Sequence, residues 1–231
     1  MSHRKRVGTT VMRIPGKPSE GRRGVAIVEF TLSLVFLIPL VLGTLVYGFR
    51  LIRAIEMDQI VRDIGHMYIR GIDFTQPGPQ GNAATLAQGF NLTASGTSVL
   101  VLSTIKVIQQ ADCDGANPLK PAGTPCTNLN NPVFTQQIKI GNTSLTVNGV
   151  NIAASAFGTP PLQANDTVLA TDQANTATAA AGKTSANTGF ASVLTLNSGE
   201  LAYVTEMFNA TPELNIRGLS GAPQVYARSI F

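Results

Sequence analysis

The sequence predicts an α+β protein: a long N-terminal helix, transmembrane and then amphipathic, packed on a small antiparallel β-sheet domain. Three observations carry that expectation. Residues 25–49 form an apolar run whose only formal charge is Glu29. Met57, Ile60, Val61, Ile64, Met67 and Tyr68 then recur at i, i+3, i+4, i+7, i+10 and i+11, an amphipathic helical stripe. Farther on, short segments alternate apolar and polar residues, and one pair is joined by Asn148-Gly149, a hairpin signature.

The head comes first. Residues 1–24 carry Arg4, Lys5, Arg6, Arg13, Lys17, Arg22 and Arg23 against Glu20 alone, and they show no hydrophobic period. They read as a flexible basic leader. Residues 54–231 hold 8 basic and 11 acidic side chains, so the net charge of +4 reports the leader and not a basic domain. No nucleic-acid partner is expected. Lys and Arg beside a span stay on the cytoplasmic side. Arg50 and Arg53 on the far flank oppose this but are outnumbered. The N-terminus is expected to be cytoplasmic and the C-terminal domain outside.

About 20 apolar residues cross a ~30 Å hydrocarbon core as a helix, so residues 25–49 can span a bilayer with some tilt. A secretory signal would have a shorter apolar region and a small-residue cleavage motif after it; neither is present. Pro39 removes one backbone hydrogen bond, which either bends the helix or is simply tolerated, as proline often is in membrane helices. Glu29 lies near the start of the run, where a carboxylate still costs free energy in lipid. Two readings stand open: it snorkels to the headgroups or pairs with Arg22 or Arg23, or it serves a function that needs a cationic partner.

Past Phe49 the stripe continues, with Asp58, Gln59, Arg62, Asp63, His66 and Arg70 on the opposite face and Asp58–Arg62 as an i,i+4 pair. Nothing breaks the pattern before Gly71, so one helix is expected over 25–70, its first half in lipid. Domain boundaries follow: a leader 1–24, a helical segment 25–71 that is transmembrane to about 49, and an exported β-rich domain 72–231.

Within that domain, 73–98 reads as a connection, with Gln76-Pro77-Gly78-Pro79-Gln80-Gly81 a loop. Strands are expected at 99–108 and 136–140, then a hairpin over 144–152 turning at Asn148-Gly149. Residues 163–199 are rich in Ala, Thr and Asn and read as a mobile exposed loop or loose insertion. Residues 201–208 and 224–231 supply closing strands, for a sheet of four to six.

Cys113 and Cys126 bracket a turn-rich segment. In an oxidising compartment they are expected to pair, worth roughly 3 kcal/mol on the chain-entropy model, with two unpaired thiols as the alternative. With only His3 and His66 elsewhere, they make no zinc set. No metal, cofactor or small-molecule substrate is expected, and no catalytic residues: the chain lacks a nucleophile elbow, a phosphate-binding Gly-Lys-Ser/Thr sequence and an HExxH sequence. Glu200 and Glu206 stand six apart, on one face of a strand, and read as a solvated pair.

Arg22-Arg23-Gly24-Val25, with Glu29 and Phe30 at the fifth and sixth positions after the glycine, resembles the processing site of type IV prepilins. It is closest to the TadE-like minor pseudopilins of the tight-adherence (Flp/Tad) pilus system. Gly43, Tyr47-Gly48-Phe49 and the stretch Glu200-Leu201-Ala202-Tyr203-Val204-Thr205-Glu206-Met207-Phe208, then Pro212, are also similar to that family, with its late Val-x-Glu-x-Phe strand. Asn209 and Ala210 stand where the family commonly has an aromatic. The resemblance implies a pilin-like fold and a cut after Gly24 by a prepilin peptidase on the cytoplasmic face. Val25 becomes the new N-terminus and Glu29, beside Phe30, the assembly-linked glutamate. It further implies a bacterial inner-membrane location, other pseudopilins and pilus-assembly membrane proteins as partners, and a role in assembly rather than catalysis. The alternative is a generic single-pass membrane protein with a periplasmic or extracellular binding domain.

Overall fold

A computed structural model describes residues 21–182, 189–211 and 224–231. The leader to residue 20, Pro212 and residues 183–188 of the low-complexity stretch lie outside the described residues, as do the side chains of Arg22 and Arg23. The chain divides into two units, one ending at Leu45 and the other running from Val46 to Phe231.

The first unit is the N-terminal part of α1 (Gly21–Ile69), which continues through Pro39. Its large apolar side chains from Val25 to Leu45 are exposed, apart from half-buried Leu34; Phe36 reaches 73%. Thr31 Oγ1 donates to the Ile27 carbonyl (2.8 Å), Ser33 Oγ to Glu29 (2.9 Å) and Thr44 Oγ1 to Val41 (2.8 Å). Each hydroxyl is thus satisfied within the helix, as an apolar surrounding demands. This helix is long and apolar enough to cross a membrane.

The second unit holds a mixed α+β fold around a four-stranded antiparallel sheet of order β2-β1-β5-β6. Its strands are β1 (Ser98–Val107), β2 (Pro132–Gly141), β5 (Leu201–Ala210) and β6 (Gln224–Ile230). A two-stranded ribbon, β3 (Thr146–Val147) and β4 (Val150–Asn151), stands apart. Short helices fill the connections: α2 (Pro77–Leu86), α3 (Gln110–Asp114), α4 (Ala170–Asn175) and α5 (Phe190–Val193), with a 3-10 turn at Ala177–Ala179.

Both faces of the sheet are buried. On one, Leu100, Leu102, Ile138, Ile140 and Met207 receive the α1 stripe, where Met57, Val61 and Ile64 are fully buried and Ile60 and Tyr68 nearly so. The period-3.6 stripe meets the period-2 face as the sequence leads one to expect. Arg62 and Asp58 pair on the outer side at 2.8 Å. Gly65 leaves no room for a Cβ beneath the ring of Phe231, which also lies 4.8 Å from the His66 ring.

The other face is covered by the long excursion between β2 and β5. Phe157, Val168, Ala179, Ala181 and Phe190 pack on Ile105, Phe134, Ala202 and Val204. Leu145, Ile152 and Ala153 pack on Val99, Val101 and Phe208. The expected mobile loop over 163–199 is therefore corrected in its described part: Val168, Ala174, Ala179 and Phe190 are buried anchors. Each side chain contributes apolar area to a layer that the sheet alone could not close. A second correction concerns 76–81, which is not a loop. Pro77 opens α2 from the first helical turn, where a missing N–H costs nothing. The Asn148-Gly149 turn forms as expected, with φ of 51° and 78°, the left-handed pair of a type I′ turn.

Candidate functional site

Three places gather the chemistry-bearing residues. The first is the start of α1. Gly24, Val25, Glu29 and Phe30 all lie on its exposed surface, and among the described residues no other part of the chain stands within 4 Å of where a Cβ on Gly24 would be. Val25 and Glu29 are four residues apart, so they share one helix face about 6 Å apart along the axis. Ser33 continues that row. The backbone of Arg22 and Arg23 is helical.

The second is the cysteine loop. Cys113 and Cys126 form a disulfide with Cα atoms 6.0 Å apart. It fastens α3 to the segment before β2, with Cys113 buried beside Ile108 and Val133 and Cys126 half-buried against them. Two ion pairs frame it: Lys106 Nζ to Asp112 at 2.6 Å and the nearly buried Lys120 to Asp114 at 3.1 Å. Asp112 also accepts the backbone N–H of Gln109, closing a capping box at the start of α3.

The third is in the sheet and was not anticipated. Glu200 and Glu206 are not a solvated pair. Glu200 precedes β5 at the surface, and its carboxylate accepts the backbone N–H and side-chain amide of Asn197, which hold it below its ordinary range. Glu206 has no exposed surface. Its Oε1 accepts the Ala156 N–H (3.0 Å) and the Tyr226 hydroxyl (2.7 Å), while Oε2 has no hydrogen-bond partner among the described residues. Burial pushes the Glu206 carboxyl upward, opposed by Ser155, Tyr226, Ala156 and the Arg228 charge. Arg228 is its register partner on β6, with its guanidinium 4.8 Å over the Phe157 ring. Burial first, then the Glu206 charge, raises Tyr226 above its usual range. Across Val101, half-buried Lys139 is lowered by desolvation. A signal for this burial existed: Ala202, Val204, Glu206 and Phe208 alternate on one face, so Glu206 sits among inward apolar neighbours.

On the α1 side, a cleft of about 450 Å³ opens beside the C-terminal end of that helix. A register shift between β1 and β2 pairs Thr104 with Gln136 and Ile105 with Phe134, leaving Thr135 as a bulge at the cleft. The Tyr68 hydroxyl meets Thr104 Oγ1 at 2.7 Å and donates to Gln136 Oε1 at 3.1 Å; burial pushes its pKa up to about 12. Tyr203 meets the Tyr68 ring edge-on at 5.3 Å. Among the described residues no group of three or more His, Cys, Asp and Glu could hold a metal. Comparison of the chain with protein-family models, curated proteins and solved structures finds no match to any of them.

Proposed function

We propose that this chain is a membrane-anchored minor pseudopilin of TadE-like type, taking part in assembly of a tight-adherence pilus and cut after Gly24 by a prepilin peptidase. The observation that carries the proposal is the placement of Gly24, Val25 and Glu29 at the open start of a helix whose apolar side chains are exposed. A peptidase at the membrane surface needs an unencumbered cut site. Gly24 offers no side chain and, among the described residues, no neighbour within 4 Å of its missing Cβ. The arginines upstream hold the scissile bond at the cytoplasmic headgroups of the bacterial inner membrane, and the C-terminal domain lies on the periplasmic or extracellular side.

Cutting creates a cationic amino group on Val25, one turn from Glu29 on the same face. A carboxylate in the hydrocarbon core costs on the order of 2.5–3.5 kcal/mol at mid-bilayer and less toward the interface. Pairing Glu29 with the new terminus of a neighbouring pseudopilin offsets that cost and favours lateral association of helices. The protein acts as a structural partner and not as a catalyst. Intact-mass measurement of the membrane protein, with and without a prepilin peptidase, is the direct test. Loss of residues 1–24 only when the peptidase is present is expected. A mature chain still beginning at Met1 would leave a single-pass anchor carrying an outer binding domain.

A further inference from the structure

The cleft beside the end of α1 has no part in processing or helix association. Its size falls in the range of about 300–1,000 Å³ typical of small-ligand sites. We infer that it binds an uncharged sugar ring, such as one unit of a surface glycan. This inference does not rest on the pilus reading, because every residue it uses lies between Tyr68 and Tyr203 in the second unit.

The lining decides the ligand class. Among the described residues that line it, Asp73 carries the only formal charge, and none is Lys, Arg or His. A phosphate, sulfate or carboxylate would be desolvated there without a cation. An extended peptide would need a free strand edge, and the nearby β2 edge is occupied: Gln137 N–H donates to the Asp166 carbonyl and Val168 N–H to Thr135, both at 2.9 Å. A purely apolar ligand would strand the Gln136 amide and the Tyr203 hydroxyl. What remains is a ligand that is neutral, hydroxyl-rich and apolar on one face.

The available groups fit that chemistry. The Tyr68 hydroxyl engages the Gln136 amide oxygen, and the Gln136 NH₂ group, with two donors, has no acceptor among the described residues. The half-buried Tyr203 likewise keeps a hydroxyl without a partner among them, on a ring whose negative face suits the C–H face of a pyranose. Asp73 is held below the ordinary carboxylate range by hydrogen bonds from Thr75, so it stays ionised and retains acceptor sites for vicinal hydroxyls. Tyr68, locked between Thr104 and Gln136, fixes the floor in advance of binding.

The test is saturation-transfer NMR and calorimetry on the full chain in an amine-oxide detergent, which has no sugar headgroup. The probes are maltose, cellobiose and N,N′-diacetylchitobiose. Saturable binding of at least one is expected, weakened about tenfold or more by Tyr203→Phe and by Gln136→Ala. Both variants should melt within a few degrees of the parent, because the first keeps its ring and the second is half-exposed. The inference is overturned if none of the three sugars saturates, or if the two variants bind as the parent does. It is equally overturned if a lysine-containing tripeptide binds the cleft in their place.

Discussion

Replacing Glu206 with glutamine sets two effects against each other in a measurable way. The ionised carboxylate suffers full burial and an Oε2 with no donor among the described residues, while Arg228 across the β5–β6 pair attracts it. Burial is the larger effect, so the folded-state pKa lies above the unfolded value of about 4.3. The folded protein then holds this proton more tightly than the unfolded chain. Stability from that proton is fully present below the unfolded pKa and is lost as pH rises through the raised one. Glutamine keeps an oxygen for the Ala156 N–H and the Tyr226 hydroxyl but cannot ionise. An unsatisfied buried acceptor costs about 1–3 kcal/mol, so the stability of the parent minus that of Glu206→Gln should fall by roughly that amount between about pH 4 and pH 8. Tyr226, Lys139 and Arg228 face the site in both proteins and largely cancel in the difference. Urea unfolding in detergent, followed by tyrosine fluorescence, gives the two curves. A difference that grows with pH would mean that the hydrogen bonds from Ser155, Tyr226 and Ala156, together with the Arg228 charge, outweigh desolvation, and the reasoning would fail.

Three further outcomes are expected. Reducing the Cys113–Cys126 disulfide, or replacing both cysteines with serine, should cost about 3 kcal/mol for a loop of this length, read as a lowered calorimetric midpoint. Gly141→Ala should destabilise by about 1–3 kcal/mol in the same unfolding assay. Its φ is +101° and a Cβ would meet the Ser98 carbonyl oxygen at 2.6 Å, backbone that cannot swing aside. On the proposed assembly role, Glu29→Leu should leave membrane insertion intact but reduce co-purification with pilus-assembly proteins, and undiminished co-purification would count against that role.

Much of the fold was legible because its determinants are local. The α1 stripe from Met57 to Tyr68 is one helix's period, and Asn148-Gly149 meets a turn that needs two positive φ angles. The alternating segments gave β1, β5 and β6 to within about two residues, whereas β2 proved longer at both ends. What stayed hidden depends on distant partners. Residues 163–199 look featureless because their anchors are mostly small, as with Ala179 and Ala181, and gain meaning only against Phe134 and Ile105. Pro77-Gly78-Pro79 punctuates a loop by composition, yet one proline at a helix start is equally at home there. The start of α1 is a contiguous string and could be read directly. The cleft could not, since it draws on Tyr68, Asp73, Thr104, Gln136, Thr167 and Tyr203 from across the chain.

The bonds that Asp166, Val168 and Ala181 make along β2 have a consequence for crowded surroundings. An outermost strand with idle amides invites foreign chains to zip onto it, and secreted domains stored at high density suffer from that. Here the chain has hemmed its own border from Pro132 to Gln137, spending a stretch of plain Ala, Thr and Asn on the task. Deleting that stretch as dispensable filler would reopen the border, and the shortened protein should clump.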